Sequence, residues 1–188
     1  MLRYKKRSFN KPRHFAYPFY IKQYEGILMA INNIFSLHFS RHPIAFAHIS
    51  GSPEYNSIKG IVRFYKTIYG VLVNAQISGL PVGDTCASPI FGFHIHEGES
   101  CSGNAEDPFA DTKTHYNPES CPHPYHAGDL PPLFSANGYA YSAVLTDRFT
   151  IDEIIGKTVV KHSSPDDFTT QPSGNAGKKI ACGVITAY

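Results

Sequence analysis

From about residue 44 onward, apolar and polar positions alternate in short runs separated by turn residues. A period of two puts apolar side chains on one face of a strand and polar ones on the other. "IAFAHISGS" and "IKGIVRFYKTIYGVLVNAQISGL" follow this rule, residues 79–88 read as a loop, and "PIFGFHIHE" is the next strand. Alternation then stops. Residues 98–132 are rich in Gly, Pro, Asn, Asp and Ser with no period, and strands resume in "GYAYSAVL", "TVVKH" and "KIACGVITAY". "TIDEIIGK" reads either as a single helical turn or as loop, and no other segment sustains a helical period. A structureless loop of roughly 35 residues is uncommon within a compact domain and usually functional. Short strands around one such loop predict an all-β fold, a Greek-key barrel or sandwich.

A chain of 188 residues, 42% hydrophobic and 17% charged, is most simply one domain with a real core. No apolar run approaches the roughly 20 residues of a membrane-spanning helix, so no membrane span is expected. The net charge of +2 hides an asymmetry: residues 1–28 carry a balance of +6, leaving −4 for the rest. We therefore read residues 1–43 as a basic extension, either poorly ordered or a start-site artefact preceding Met29, and 44–188 as the folded domain. Its aromatic and basic residues leave nucleic-acid contact unsupported, and no nucleic-acid partner is expected. "AFA" at 45–47 resembles a signal cleavage site, but Asn32 and Asn33 interrupt "ILMAINNIFSL", and cutting there would sever the first strand. The expected location is cytoplasmic, with periplasm or exterior as the alternative.

Composition leaves the chemistry open, and the histidines narrow it. In "GFHIHE", Phe93 and Ile95 can face a core while His94 and His96 point together the other way. The pair alone is weak, since a satisfied or surface histidine is the ordinary case. In the long loop, "THYNPESCPHPYHAGDLPPL" adds His115, His123, His126 and Asp129. Three imidazoles and a carboxylate make a closed tetrahedral set suited to Zn²⁺; the bland reading is a polar, His-rich loop. Four cysteines, Cys86, Cys101, Cys121 and Cys182, allow three pairings.

The motifs "GFHIHE", "HYNP", "HAGDLPPL", "GKTVVKH" and "GNAGKKIACGVI" occur in the order of copper–zinc superoxide dismutases, and residues 45–186 resemble that family. "GESC", "GDLP" and the short loops look more like its bacterial branch. The resemblance implies an immunoglobulin-like Greek-key barrel that converts superoxide to dioxygen and hydrogen peroxide by Cu(II)/Cu(I) cycling. It implies copper ligands at His94, His96, His115 and His162. It implies zinc ligands at His115, His123, His126 and Asp129, with His115 bridging the ions. Asp166 matches an aspartate linking the two sites, and Cys101–Cys182 the family disulfide. Imidazoles tolerate both copper oxidation states, whereas zinc is a redox-silent anchor whose binding orders the loop. Two cations make a doubly deprotonated His115 accessible.

Two departures matter. Lys179 stands where the family has an arginine that attracts superoxide, so charge survives without the guanidinium fork, and a slower enzyme is expected. Lys178, adjacent, reads as an exposed bystander, with a contribution of charge as the alternative. The segment from His162 to Gly174 is short and adds Asp166 and Asp167, so steering by the whole field should be modest. Cys121 reads as a competing zinc ligand, a free thiol or a partner of Cys86. The rival readings are a non-catalytic zinc- or copper-binding relative, favoured by Lys179, and a copper-delivery protein, disfavoured by the lack of CxC or CxxC. Superoxide is the implied small-molecule partner, with a homodimer left open.

Overall fold

In β2 (Lys59–Thr67) and β3 (Gly70–Ser78) the alternation of the sequence becomes alternation of burial. Val62, Phe64, Val71, Val73, Ala75 and Ile77 point inward, while Leu72, Asn74 and Gln76 stay half-buried on the outer face. The computed structural model describes residues 40–83 and 89–188. The expectations for the basic extension fall almost wholly outside these residues, as does Cys86. β1 (Ala45–Gly51), β4 (Ile90–His96), β5 (Asp129–Ala136), β6 (Tyr139–Thr146), β7 (Thr158–His162) and β8 (Lys179–Ala187) complete a closed antiparallel barrel. The order around it is β1-β2-β3-β6-β5-β4-β7-β8. β3 and β4, consecutive in sequence, are separated by β6 and β5, the strand order of a Greek key. Of barrel and sandwich, the chain adopts the barrel, which leaves no open strand edge.

The interior is filled by Phe64, Ile58, Ile77, Ile95, Leu133 and Ile185, each at most 1% exposed. Burying a side chain of this size stabilises the fold by about 1.5–3 kcal/mol. A second, smaller cluster lies outside the barrel wall: Phe109 of the long loop packs with Val160 of β7 and with Cys182, and Cys101 packs against it. "TIDEIIGK" forms a single helical turn, α1 (Ile151–Ile154), whose capping box has the Thr150 N–H donating to Glu153 Oε2 at 2.6 Å. No helix among the described residues is long and apolar enough to cross a membrane.

The structure corrects one boundary. Residues 129–132, expected as the end of the long loop, begin strand β5. Pro131 and Pro132 conceal it, because proline lacks the N–H of a ladder. The strand accommodates them where pairing is sparse: the β4 ladder is irregular between Phe91 and Phe93, and β6 pairs only with Ser135 and Ala136.

Candidate metal centre

β4 lies between β5 and β7. Phe93 and Ile95 enter the barrel core, so His94 and His96 must stand on its outer surface, where the loops cover them to 0% and 2% exposure. His162 ends β7 on the same outer face as Val160, the residue opposite His94. The long loop reaches these residues through backbone bonds to β4. Tyr116 N–H donates to Ile95 O at 2.8 Å, Ile95 N–H donates to Gly128 O at 2.9 Å, and Gly128 N–H donates to Tyr116 O at 2.8 Å. His115 is thereby bridged to His96.

Two groups of donors result, each with its ligand atoms within 4.8 Å of one another: His94, His96, His115 and His162, and His115, His123, His126 and Asp129. His115 belongs to both. All seven residues are buried.

The hydrogen bonds select which ring nitrogen faces the centre. His94 Nε2–H donates to Asp166 Oδ2 at 2.7 Å, His96 Nδ1–H donates to Lys113 O at 3.0 Å, and His162 Nδ1–H donates to Gly177 O at 3.2 Å. Each bond consumes one ring proton and leaves the other nitrogen as a bare lone pair. His96 Nε2 and His162 Nε2 then face each other at 3.2 Å. Two lone pairs repel at that distance, and a cation between them removes the conflict. His94 Nδ1, His115 Nε2, His123 Nδ1 and His126 Nδ1 are buried without a hydrogen-bond partner. His123 Nδ1 lies 3.0 Å and His126 Nδ1 3.3 Å from Asp129 Oδ2, yet neither is aligned as a donor. These nitrogens fall into the two donor groups, those of His94 and His115 in the first and those of His123 and His126 in the second. Orphaned buried nitrogens are costly unless something binds them, so the residues fit metal ions.

Burial sets the protonation. It pushes His94 down to about 4 despite the bond to Asp166, and His162 down to about 3 with help from the charge of His94. His96 is driven well below its ordinary value by burial, then by His162 and His115. These imidazoles are neutral near pH 7, the form that binds metal. Burial opposes ionisation of Asp129 and Asp166, but their partners together outweigh it and hold both carboxyls below the usual range. For Asp129 these are the bond from His115 and the charges of His115, His123 and His126; for Asp166, the bonds from His94, Phe168 N–H and His123, with the charge of His94.

Asp166 joins the two groups, since its Oδ1 also accepts from His123 Nε2–H at 2.9 Å. Gly174 permits this contact: its φ is +65°, and a Cβ there would collide with Asp166 Oδ1 and His123 Nε2. Cys101 and Cys182 are bonded, tying the long loop to β8. Cys121 belongs to neither donor group and is a half-buried free thiol. Lys179 lines a cavity of about 990 Å³ together with His96, His115 and His162. Lys178, the expected bystander, also lines it.

Three residues that sequence reasoning passed over organise this site. Asp107 pairs with Lys179 at 2.9 Å. Arg148 Nη1 donates to the carbonyls of Pro124, His126 and Asp129 at 3.0, 3.4 and 3.2 Å. Gln171 clamps the backbone of His123, accepting from its N–H at 3.0 Å and donating to its O at 2.7 Å. No local pattern distinguishes these side chains from their polar neighbours.

Fold and site together define a class: a closed Greek-key barrel carrying two adjoining ligand sets that share one histidine. The model of the family described as copper/zinc superoxide dismutase (SODC) matches residues 58–185. The chain is 32% identical over 180 residues to superoxide dismutase [Cu-Zn] 2 of Aquifex aeolicus, covering 88% of this chain and 99% of that protein. It is 34% identical over 140 residues to superoxide dismutase [Cu-Zn] of Photobacterium leiognathi, covering 67% of this chain and 78% of that one. The corresponding protein of Legionella pneumophila is 34% identical over 134 residues, covering 67% and 76%. The chain belongs to the copper/zinc superoxide dismutase family, and these relatives are bacterial, as its motifs suggested.

Proposed function

We propose that the protein is a copper- and zinc-dependent superoxide dismutase, turning two superoxide anions and two protons into dioxygen and hydrogen peroxide. The observation that carries this is His115, buried and shared by two donor groups. Family membership and these clusters support copper and zinc as the cofactors. We assign copper to His94, His96, His115 and His162, and zinc to His115, His123, His126 and Asp129.

Copper bound there supplies a one-electron couple, and zinc a fixed positive charge. The chain supplies the rest. Asp166 and the carbonyls of Lys113 and Gly177 keep the imidazoles in ligand-ready tautomers. His115 Nε2, buried with no hydrogen-bond partner, is the atom at which a proton can be held beside the reacting oxygen. The cavity admits a small anion to His96 and His162, and Lys179 supplies positive charge on its wall. Lysine offers a point charge rather than a planar fork, so we infer a slower enzyme than one with arginine at this position.

Metal analysis and a superoxide-consumption assay test the reading together. We expect near-equal copper and zinc after loading, and dismutation that disappears when copper is withheld. Zinc retained alone after copper loading would favour the non-catalytic relative; both metals without activity would remove the enzyme claim. We also propose a homodimer, on the strength of the exposed Phe134, Tyr141 and Leu145 along β5 and β6. A monomeric mass in analytical ultracentrifugation would overturn that.

A further inference from the structure

The anion-attracting lysine is already engaged. Lys179 Nζ donates to Asp107 Oδ2 at 2.9 Å and to Phe109 O at 3.1 Å, and its side chain is only 16% exposed. Asp107 is built into its place rather than left to wander. Its Oδ1 accepts from Phe109 N–H at 3.0 Å, and its own N–H donates to Asn104 Oδ1 at 2.8 Å. Its carbonyl accepts from the N–H groups of Asn104 and Ala110, both at 3.0 Å. Phe109 packs against Val160 and Cys182, and the Cys101–Cys182 bond ties the same loop to β8 near Lys179. The carboxylate is therefore held at a fixed distance from the ammonium.

This pair stands on the wall of the cavity that holds His96, His115 and His162. An anion entering the cavity meets an ammonium whose field is offset by a carboxylate in contact with it.

We propose that Asp107 sets the anion affinity of this cavity, by holding the Lys179 ammonium against Phe109 O and withholding it from incoming anions. The residue is a positioning residue acting through Lys179. The inference rests on the superoxide reading for the identity of the natural anion, but not for its test.

Copper- and zinc-loaded wild type, Asp107→Asn, Lys179→Met and the double variant are titrated with azide, a small monovalent anion, followed by the visible absorption of the cupric site. The asparagine keeps an oxygen for Phe109 N–H while removing the charge; Asp107→Ser, whose hydroxyl can also accept that bond, is the second variant should the first misfold. We expect Asp107→Asn to bind azide about two- to fivefold tighter, the range that a part-exposed ion pair can withhold. The gain should shrink as ionic strength rises and should vanish in the Lys179→Met background. Equal or weaker azide binding by Asp107→Asn overturns the proposal. So does an equal gain without Lys179, which would show a general charge effect. A readout independent of metal is acetylation of Lys179 by a neutral reagent, followed by peptide mass spectrometry. It should quicken in Asp107→Asn, and an unchanged rate counts against the tether. Failure of the superoxide reading shows separately, as loaded wild type that consumes no superoxide.

Discussion

Lys161 places an amine inside the barrel wall. It lies on β7 beside His162, 1% exposed, with its Nζ 3.3 Å from the centroid of the Phe91 ring and 3.4 Å from His162 O. No carboxylate pairs with it among the described residues. Removing an ammonium from water costs several kcal/mol, whereas a buried cation–π contact returns about 2. Desolvation wins, and burial pushes this lysine from 10.5 down to about 7. Between those values the unfolded chain holds a proton that the folded one does not, so this residue's contribution to stability rises with pH across that window. Lys161→Met should raise stability by about 1–4 kcal/mol at neutral pH and flatten that rise; denaturant unfolding at pH 7 and pH 9.5 reads both, and a destabilised variant refutes the account. Lys179 calls for the opposite kind of change. An arginine there can keep Asp107 and Phe109 O while turning further N–H groups into the cavity. Lys179→Arg should raise the dismutation rate severalfold at low ionic strength and less at high salt. An unchanged or lower rate would show that lysine is not the limiting feature.

Among the elements, the strands were legible and the long loop was half legible. β2 and β3 obey strict alternation because each buries one face, and β4 betrayed its function by placing imidazoles where that rule allows polar groups. β5 stayed hidden because two prolines break the pattern by which a strand is read. The loop announced its ligands but not its supports, since Arg148, Gln171 and Asp107 act on backbone or side chains distant in sequence. Arg148 in particular holds the segment carrying His126 and Asp129 through three carbonyls. Arg148→Met should speed zinc loss to a chelator by about tenfold, the low end for groups that orient metal ligands. Copper retention should change less. Equal loss of both metals would mean that the loop moves as one piece with β4 and would refute the local role.

At the scale of the whole molecule, metal and fold share one set of groups. His94 and His162 are held neutral by burial, at about 4 and about 3, and His96 is also lowered. Without metal, an unfolded chain gains protons on these rings below about pH 6.5 while the folded chain does not, so stability falls as pH drops from there toward 4. Asp129 and Asp166, whose carboxyls are also lowered, add a loss in the same direction below 3.8. Calorimetry of metal-free protein from pH 7 to 4 should show a steadily decreasing Tm. The metal-loaded protein should hold its Tm until protons displace the ions, then join the metal-free curve; a metal-free Tm that is flat over this range would refute the linkage. By itself the sequence determined what depends on near neighbours: which faces of the strands are apolar, where the loop lies, and which donor types it carries. The tertiary structure alone decided which nitrogen of each ring is free and what restrains Lys179. The reason is range: strand periodicity acts over two residues, whereas the His94 ring is set by Asp166, 72 positions away, and Lys179 is held by Asp107 across the same separation.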